Sequence, residues 1–267
     1  LNIINEIDNY LLNKEREKKK RESYYPSEVS HCIRQSYYKW TDEKISDPIP
    51  AGGLWKMAMG NKIHDLINEF LIKAGWEIKG EVEFKQDIGL KYPLSGRIDN
   101  IFIHDGIEKG IEVKSSYGNG IREMKKTGWP RKDDAEQVFV YMFFANIKEF
   151  YLVYIARDDG YRMQFQFDYR DDKLCCNGRP VKTTKEELID RYRQLEQYIY
   201  KKQLPGRQYK AAIKNGEIKK MFQKDNIKYS TEWQCGYCIY RSHCWKDELI
   251  KYKDSDNSII FKEEENG

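Results

Sequence analysis

Gly96-Arg97-Ile98-Asp99-Asn100-Ile101-Phe102-Ile103, a His104-Asp105-Gly106 turn, and then Ile107 to Lys114 with Ser115 behind it form the stretch on which the fold turns. Both apolar runs carry β-branched residues and are joined by a short glycine turn, which predicts an antiparallel hairpin. Strand side chains alternate, so Glu112 and Lys114 are expected on one face, with Ile111 and Val113 on the other. The hairpin would bring Asp99 beside Glu112. Two carboxylates converging on one spot repel each other, and a hard divalent cation such as Mg²⁺ or Mn²⁺ is the usual remedy. A lysine two residues further on adds an ammonium that can orient water and steady charge on a phosphate. A Glu-x-Lys pair alone is ordinarily a surface ion pair, so the rest of the chain has to supply the context.

Working outward, Trp76 to Phe84 reads as a further strand, and Phe150 to Arg157 and Arg162 to Tyr169 as another pair. An amphipathic helix is expected over about 54–74, because Ile63, Leu66, Ile67, Phe70 and Leu71 recur at helical spacing. A second helix is expected over about 133–145. Thr184-Lys185-Glu186-Glu187 is a capping box opening a third, to about 201, with Leu188, Tyr192, Leu195 and Ile199 inward. Residues 2–22 predict a helix, and Pro26 and Ser27 another through Trp40 with Ser27 as its N-cap. Residues 115–132 and the stretch after Pro205 read as loops. The expectation from the residues is an α/β protein, a sheet flanked by helices over 54–201, with a lobe built from the two chain ends, 1–53 and 202–267.

Composition narrows the class. With 40% hydrophobic and 14% aromatic residues the chain has enough apolar material for a core, despite 34% charged residues. No apolar run approaches the roughly 20 residues that span a bilayer, and Asn5, Glu6 and Asp8 interrupt the apolar N-terminal residues. A cytoplasmic protein without a membrane partner is expected. The net charge of +4 is modest, but its distribution is not. Lys18, Lys19, Lys20 and Arg21 form one basic block. Lys201 to Lys228 forms another, relieved only by Glu217 and Asp225 and interleaved with tyrosines. That pattern fits either solvated helix faces or a surface that tracks phosphates. The Glu263–Glu265 tail reads as a frayed end.

Taken in order, four elements make the sequence resemble the PD-(D/E)XK nuclease superfamily, and within it the RecB-like exonucleases: helical His64, Gly-x-Ile-Asp at 96–99, Glu-Val-Lys at 112–114 and Gln-x-x-x-Tyr at 137–141. Ile98 stands where many members have Pro. The resemblance implies a restriction-endonuclease-like core, a central mixed sheet flanked by helices, with His64, Asp99, Glu112 and the Val113 carbonyl as metal ligands and Lys114 as the catalytic lysine. It also implies that Gln137 and Tyr141 support the site.

Cys235, Cys238 and Cys244 give C-x2-C-x5-C, and three thiols so close in a reducing compartment read as soft-metal ligands. A fourth could be Cys32, His31, His243 or the adjacent Cys175 and Cys176, the last two read as thiols in a loop. The pattern resembles the iron–sulfur branch of the same superfamily, the CRISPR-associated RecB-like exonucleases of Cas-four type and the AddB nuclease domain. The resemblance implies a [4Fe–4S] cluster on Cys32, Cys235, Cys238 and Cys244, with zinc as the alternative occupant. Together these readings predict a metal-dependent DNA exonuclease acting on single-stranded ends, in repair, recombination or CRISPR spacer processing. A helicase or CRISPR adaptation and recombination proteins would be its partners. A non-catalytic nucleic-acid-binding or assembly factor is the alternative. Arg34, Tyr117, Arg122, Lys125, Lys126, Trp129 and Arg131 are the expected nucleic-acid contacts.

Overall fold

The structure, a computed structural model, describes residues 2–14, 20–104, 106–224, 227–253 and 259–261. Lys18, Lys19, Asp105, Asp225 and Glu263–Glu265, all named above, lie outside the described residues, as does part of the 2–22 helix. The helices are α1 (Ile3–Asn13), α2 (Ile33–Trp40), α3 (Ala51–Lys73), α4 (Gly118–Thr127), α5 (Lys132–Phe144), α6 (Lys185–Lys201), α7 (Trp233–Gly236), α8 (Arg241–Cys244) and α9 (Lys246–Lys251). The strands are β1 (Glu77–Gln86), β2 (Leu94–His104), β3 (Ile107–Ser116), β4 (Glu149–Ala156), β5 (Arg162–Arg170), β6 (Lys173–Cys176), β7 (Arg179–Pro180), β8 (Ala211–Lys214), β9 (Glu217–Lys219), β10 (Met221–Lys224), β11 (Ile227–Ser230) and β12 (Ile259–Phe261). Among the described residues no helix is long and apolar enough to cross a membrane.

The chain divides into two compact units, residues 1–30 with 51–193, and residues 31–50 with 194–267. The described residues around Tyr24 lie with the sheet of the first unit. The reason is backbone pairing: Tyr24 N–H donates to the Pro93 carbonyl at 2.9 Å and Ser95 N–H to the Tyr24 carbonyl at 2.9 Å. Gly96 sits under this segment because a side chain there would lie 2.7 Å from both Pro26 and the Phe84 ring.

The first unit is the expected α/β, restriction-endonuclease-like arrangement, a seven-stranded sheet in the order β1-β2-β3-β4-β5-β6-β7 flanked by helices. Every neighbouring pair is antiparallel except β3–β4. A parallel pair needs a crossover, and α4 and α5 provide it. On one face Ile111, Val113 and Phe102 pack against Ile63, Ile67 and Leu71 of α3. α5 is buried nearly all round, from Ala135 to Met142, as a helix lodged in a core must be. The capping box at the start of α6 forms, with Thr184 N–H donating to Glu187 at 2.9 Å and Glu187 N–H to the Thr184 hydroxyl at 3.2 Å. Such a cap is worth about 1 kcal/mol.

Several local expectations are corrected. Ser27 caps no helix: Pro26–Glu28 is a single 3₁₀ turn, and the residue at the N-cap of α2 is Cys32. Residues 118–127 are a helix rather than loop, with Ile121 and Met124 buried one turn apart and Gly128 ending it at φ +63°. Cys175 and Cys176 are buried in β6, and the stretch after Pro205 contains β8 to β11.

In the second unit, Ala211, Ile213 and Trp245 are fully buried and packed by Ile218, Cys244, Leu249 and Tyr252. β12, β8 and β9 form a three-stranded antiparallel sheet, and β10 and β11 form a separate antiparallel pair. Asp47 accepts from Arg241 Nε at 2.7 Å and from Ser242 N–H at 2.8 Å, tying the segment after α2 to α8.

Candidate functional site

β2 and β3 pair only as far as Asn100 opposite Ile111, while β3 continues beside β4 to Ser116. Beyond that point β3 has a free edge. The Val113 N–H, with no strand to meet, donates to Asp99 Oδ2 at 3.1 Å. The splay therefore places the carboxylate of β2 against the end of β3 that carries Glu112 and Lys114.

Glu112 is only 3% exposed. Its Oε1 accepts from Lys114 Nζ at 2.6 Å and from Gln137 Nε2 at 2.9 Å, whereas its Oε2 is buried without a hydrogen-bond partner. Lys114 also donates to Gln137 Oε1 at 2.8 Å. Gln137 Nε2 donates to the Tyr141 hydroxyl at 2.8 Å, and that hydroxyl donates to the Arg97 carbonyl at 3.0 Å. Gln137 and Tyr141, one turn apart on α5, thus bridge β3 and β2 across the splay. His64 Nδ1 lies 3.2 Å from Asp99 Oδ2. Asp99, Glu112, Lys114, Gln137 and Tyr141 are brought together with His64. Val113, expected for its carbonyl, is tied to Asp99 through its amide.

Electrostatically this is a crowded pocket. Burial pushes the Glu112 carboxyl up to about 7, with the Lys114 ammonium opposing and Asp99 reinforcing the rise. Burial alone would lower Lys114, but the Glu112, Asp134 and Asp99 carboxylates outweigh it and hold the ammonium above its ordinary value. Burial, then the Glu112 charge, holds the Tyr141 phenol well above the usual range. Among the described residues no three His, Cys, Asp or Glu side chains are gathered around one point as a ready-made ion site. His64 and Asp99 instead engage each other. The donor set nevertheless suits a hard cation, because a buried carboxylate oxygen of Glu112 is left unpaired beside a second carboxylate and an imidazole.

One residue of this cluster escaped the sequence reading. Asp134 Oδ1 lies 4.0 Å from Lys114 Nζ, and Asp134 Oδ2 accepts from the buried Tyr154 hydroxyl at 2.7 Å. The signal was present: Asp134, Gln137 and Tyr141 stand at i, i+3 and i+7 on one helical face.

The expected strand-gripping residues take up different positions. Tyr117 is exposed, with the Arg157 guanidinium over its ring at 5.2 Å. Arg122 is ion-paired to Asp159 at 2.5 Å, and Arg131 lies over the buried Tyr154 ring at 6.0 Å and donates to Ser116 Oγ. Trp129 is half-buried and lines a hollow with Phe139, Pro180 and Val181. Lys125 and Lys126 are exposed on α4.

In the second unit, Cys32, Cys235, Cys238 and Cys244 line one small cavity together with Arg34, Tyr38, Tyr209, Arg241 and Trp245. His31 and His243 are not part of that wall, and Cys175 and Cys176 belong to the seven-stranded sheet. Cys32 comes in at the start of α2 and the other three on the α7–α8 segment. Burial, then the neighbouring thiols, pushes Cys235 up to about 12; burial also raises Cys238 to about 11 and lifts Cys32. Four soft donors lining one cavity suit a thiophilic metal group, whose binding would have to displace their protons. Arg34, expected on a nucleic-acid surface, is 8% exposed and donates to Cys244 Sγ at 3.5 Å. Arg207 closes the far side of Cys244, donating to its carbonyl at 2.8 Å while stacking 4.2 Å above Trp245.

No protein-family model matches the chain, and no curated protein does. Among solved structures, the fold is similar to that of SSO0001, at 18% identity and a TM-score of 0.50, over 89% of this chain and 91% of that one. It also resembles the alkaline exonuclease LHK-Exo from Laribacter hongkongensis, with 15% identity, a TM-score of 0.45, and coverage of 68% and 92%. LHK-Exo in complex with dAMP gives 13%, 0.43, 67% and 87%.

Proposed function

We propose that this chain is a metal-dependent nuclease that hydrolyses DNA phosphodiesters, working as an exonuclease on single-stranded ends. The observation that carries the reading is the single hydrogen-bonded cluster of Glu112, Lys114, Gln137 and Tyr141 set against Asp99 and His64, with one buried Glu112 oxygen left without a partner. Asp99, Glu112 and His64 would hold Mg²⁺ or Mn²⁺. Such a cation supplies Lewis-acid activation of the phosphate and a more acidic water.

The chain's own residues do the rest. Lys114, held between Glu112 and Gln137, presents a fixed ammonium to the phosphate oxygens, so no reorganisation is needed as charge develops. Gln137 fixes both partners at once, accepting from Lys114 and donating to Glu112. Tyr141 anchors Gln137 to the backbone of β2. These groups recognise a phosphate and its charge, so selectivity for base sequence is not expected.

In the second unit, Cys32, Cys235, Cys238 and Cys244 are assigned a [4Fe–4S] cluster, with zinc as the alternative occupant. Either would cross-link α2 to the α7–α8 segment across about two hundred residues of sequence, a constraint that grows with the chain enclosed. Repair, recombination or CRISPR spacer processing is the proposed setting.

The test is digestion of end-labelled single- and double-stranded DNA by the wild type and by Lys114→Ala, with Mg²⁺, with Mn²⁺ and with chelator. Cation-dependent shortening by the wild type alone supports the reading, and the label gives the polarity. No cleavage by either protein, with DNA binding intact in both, overturns it and leaves a binding factor.

A further inference from the structure

The segment carrying Cys235 and Cys238 has a second distinguishing feature. Trp233 is 58% exposed and Tyr237 is 76% exposed, while Tyr38, Tyr240 and Trp245 of the same unit are 5% exposed or less. The two exposed rings are one helical turn apart, with the Tyr237 N–H bonded to the Trp233 carbonyl at 3.0 Å. They therefore emerge on the same side of α7 and its C-cap. The fold does not need them there, since the core of this unit is made by Ala211, Ile213 and Trp245.

Lysines that precede β8 and β10 are tied by their backbones to the residues before α7. Glu232 N–H donates to the Lys210 carbonyl at 3.0 Å, and Thr231 N–H to the Lys220 carbonyl at 3.1 Å. Two exposed lysines are thereby fixed at the residues that lead into Trp233. The one carboxylate in the segment, Glu232, is turned back onto the Lys210 amide. Among the described residues, neither lysine is paired with a carboxylate.

We infer that Trp233 and Tyr237 are stacking platforms for the bases of a single-stranded nucleic acid, with Lys210 and Lys220 taking its phosphates. Exposed aromatics beside unpaired cations are the combination by which single strands are held without regard to sequence. A folded protein partner would call for a continuous apolar patch, whereas here two rings stand among charges. The inference rests on the reading of the chain as acting on DNA and adds a surface distinct from the residues of the hydrolytic cluster.

The test is fluorescence anisotropy with labelled oligo(dT) and the full chain carrying Lys114→Ala, without added divalent cation, so that cleavage plays no part. Trp233→Ala and Tyr237→Ala are each expected to weaken binding about tenfold, and Trp233→Phe to restore most of it. Quenching of tryptophan emission on binding should shrink in Trp233→Ala. Lys210→Gln and Lys220→Gln should each reduce the slope of log affinity against log salt by about 0.7. Unchanged affinity in both aromatic variants, at wild-type metal content, together with an unchanged slope in the lysine variants, overturns the inference. That outcome leaves the hydrolytic reading standing, and a failed digestion experiment leaves this binding measurement standing.

Discussion

The sheet cluster and the cysteine cavity solve the same physical problem, the assembly of mutually repelling donors, in opposite ways. In the first unit the donors are oxygens and nitrogens on neighbouring strands and one helix face, and repulsion between Asp99 and Glu112 is offset by the Lys114 ammonium and the Gln137 amide. In the second the donors are thiols drawn from both ends of the sequence, and the repulsion is avoided by keeping them protonated through burial. The first arrangement is complete without a ligand except for one Glu112 oxygen. The second has protein groups around it, chiefly Arg34 and Arg207, and its sulfurs would be bridged only by the metal group proposed for them. Losing one group should therefore cost activity at the first site and structure at the second.

The sharpest way to break that contrast is Lys114→Ala. Cleavage should fall by about 100- to 1,000-fold, the scale for loss of one preorganised charge at a phosphate, with the metal content of the cysteine site unchanged. Cys235→Ser should do the reverse, abolishing iron (or zinc) binding by elemental analysis and lowering the unfolding temperature of the second unit. A variant that kept its full metal complement would remove Cys235 from the assignment.

The pH dependence of the metal-free protein sharpens the comparison further. Because Glu112 is raised from 4.5 to about 7 in the folded chain, its contribution to stability is fully present below about 4.5 and is lost as pH rises through 7. The loss is about 3 kcal/mol, most of it complete by pH 8. Denaturant titrations from pH 4 to 8 should show this fall in the wild type and not in Glu112→Gln. The smallest effect is expected of Tyr141→Phe, which deletes one hydrogen bond from Gln137 and one to the Arg97 carbonyl. A stability loss of about 1–2 kcal/mol, with a several-fold drop in cleavage, would fit its supporting place; an inactive variant would promote it to direct contact with the phosphate.

The two regions also differ in how far the sequence disclosed them. Strand alternation placed Glu112 and Lys114 on one face, and hairpin geometry put Asp99 opposite, because both follow from local backbone periodicity. The central sheet and its flanking helices were legible for the same reason. The helix at 118–127 was hidden by Gly118, Gly120 and Gly128, whose low helix propensity outweighed the buried Ile121 and Met124; tertiary packing decided otherwise. Asp134 was missed because a carboxylate in the first turn of a helix is normally read as a capping charge. β8 went unseen because Ala211-Ala212-Ile213 is short and bordered by lysines. That Cys32 lines the same cavity as Cys235, Cys238 and Cys244 could not be derived from spacing, since no local rule links residues two hundred positions apart; only the resemblance pointed to it.

The separation of β2 from β3 on the N-terminal side of Asn100, beyond Ile111 of β3, has one further consequence. The Val113 amide, in the middle of a seven-stranded sheet, is held by a side chain rather than by a neighbouring strand. Its exchange with deuterated solvent should therefore be gated by Asp99 rather than by unzipping of the sheet. Flanking amides paired with β4 should stay slow, while Val113 speeds up when Asp99 is replaced by Ala at constant pH. One backbone hydrogen thus becomes a clock that reads the condition of a carboxylate from inside the fold.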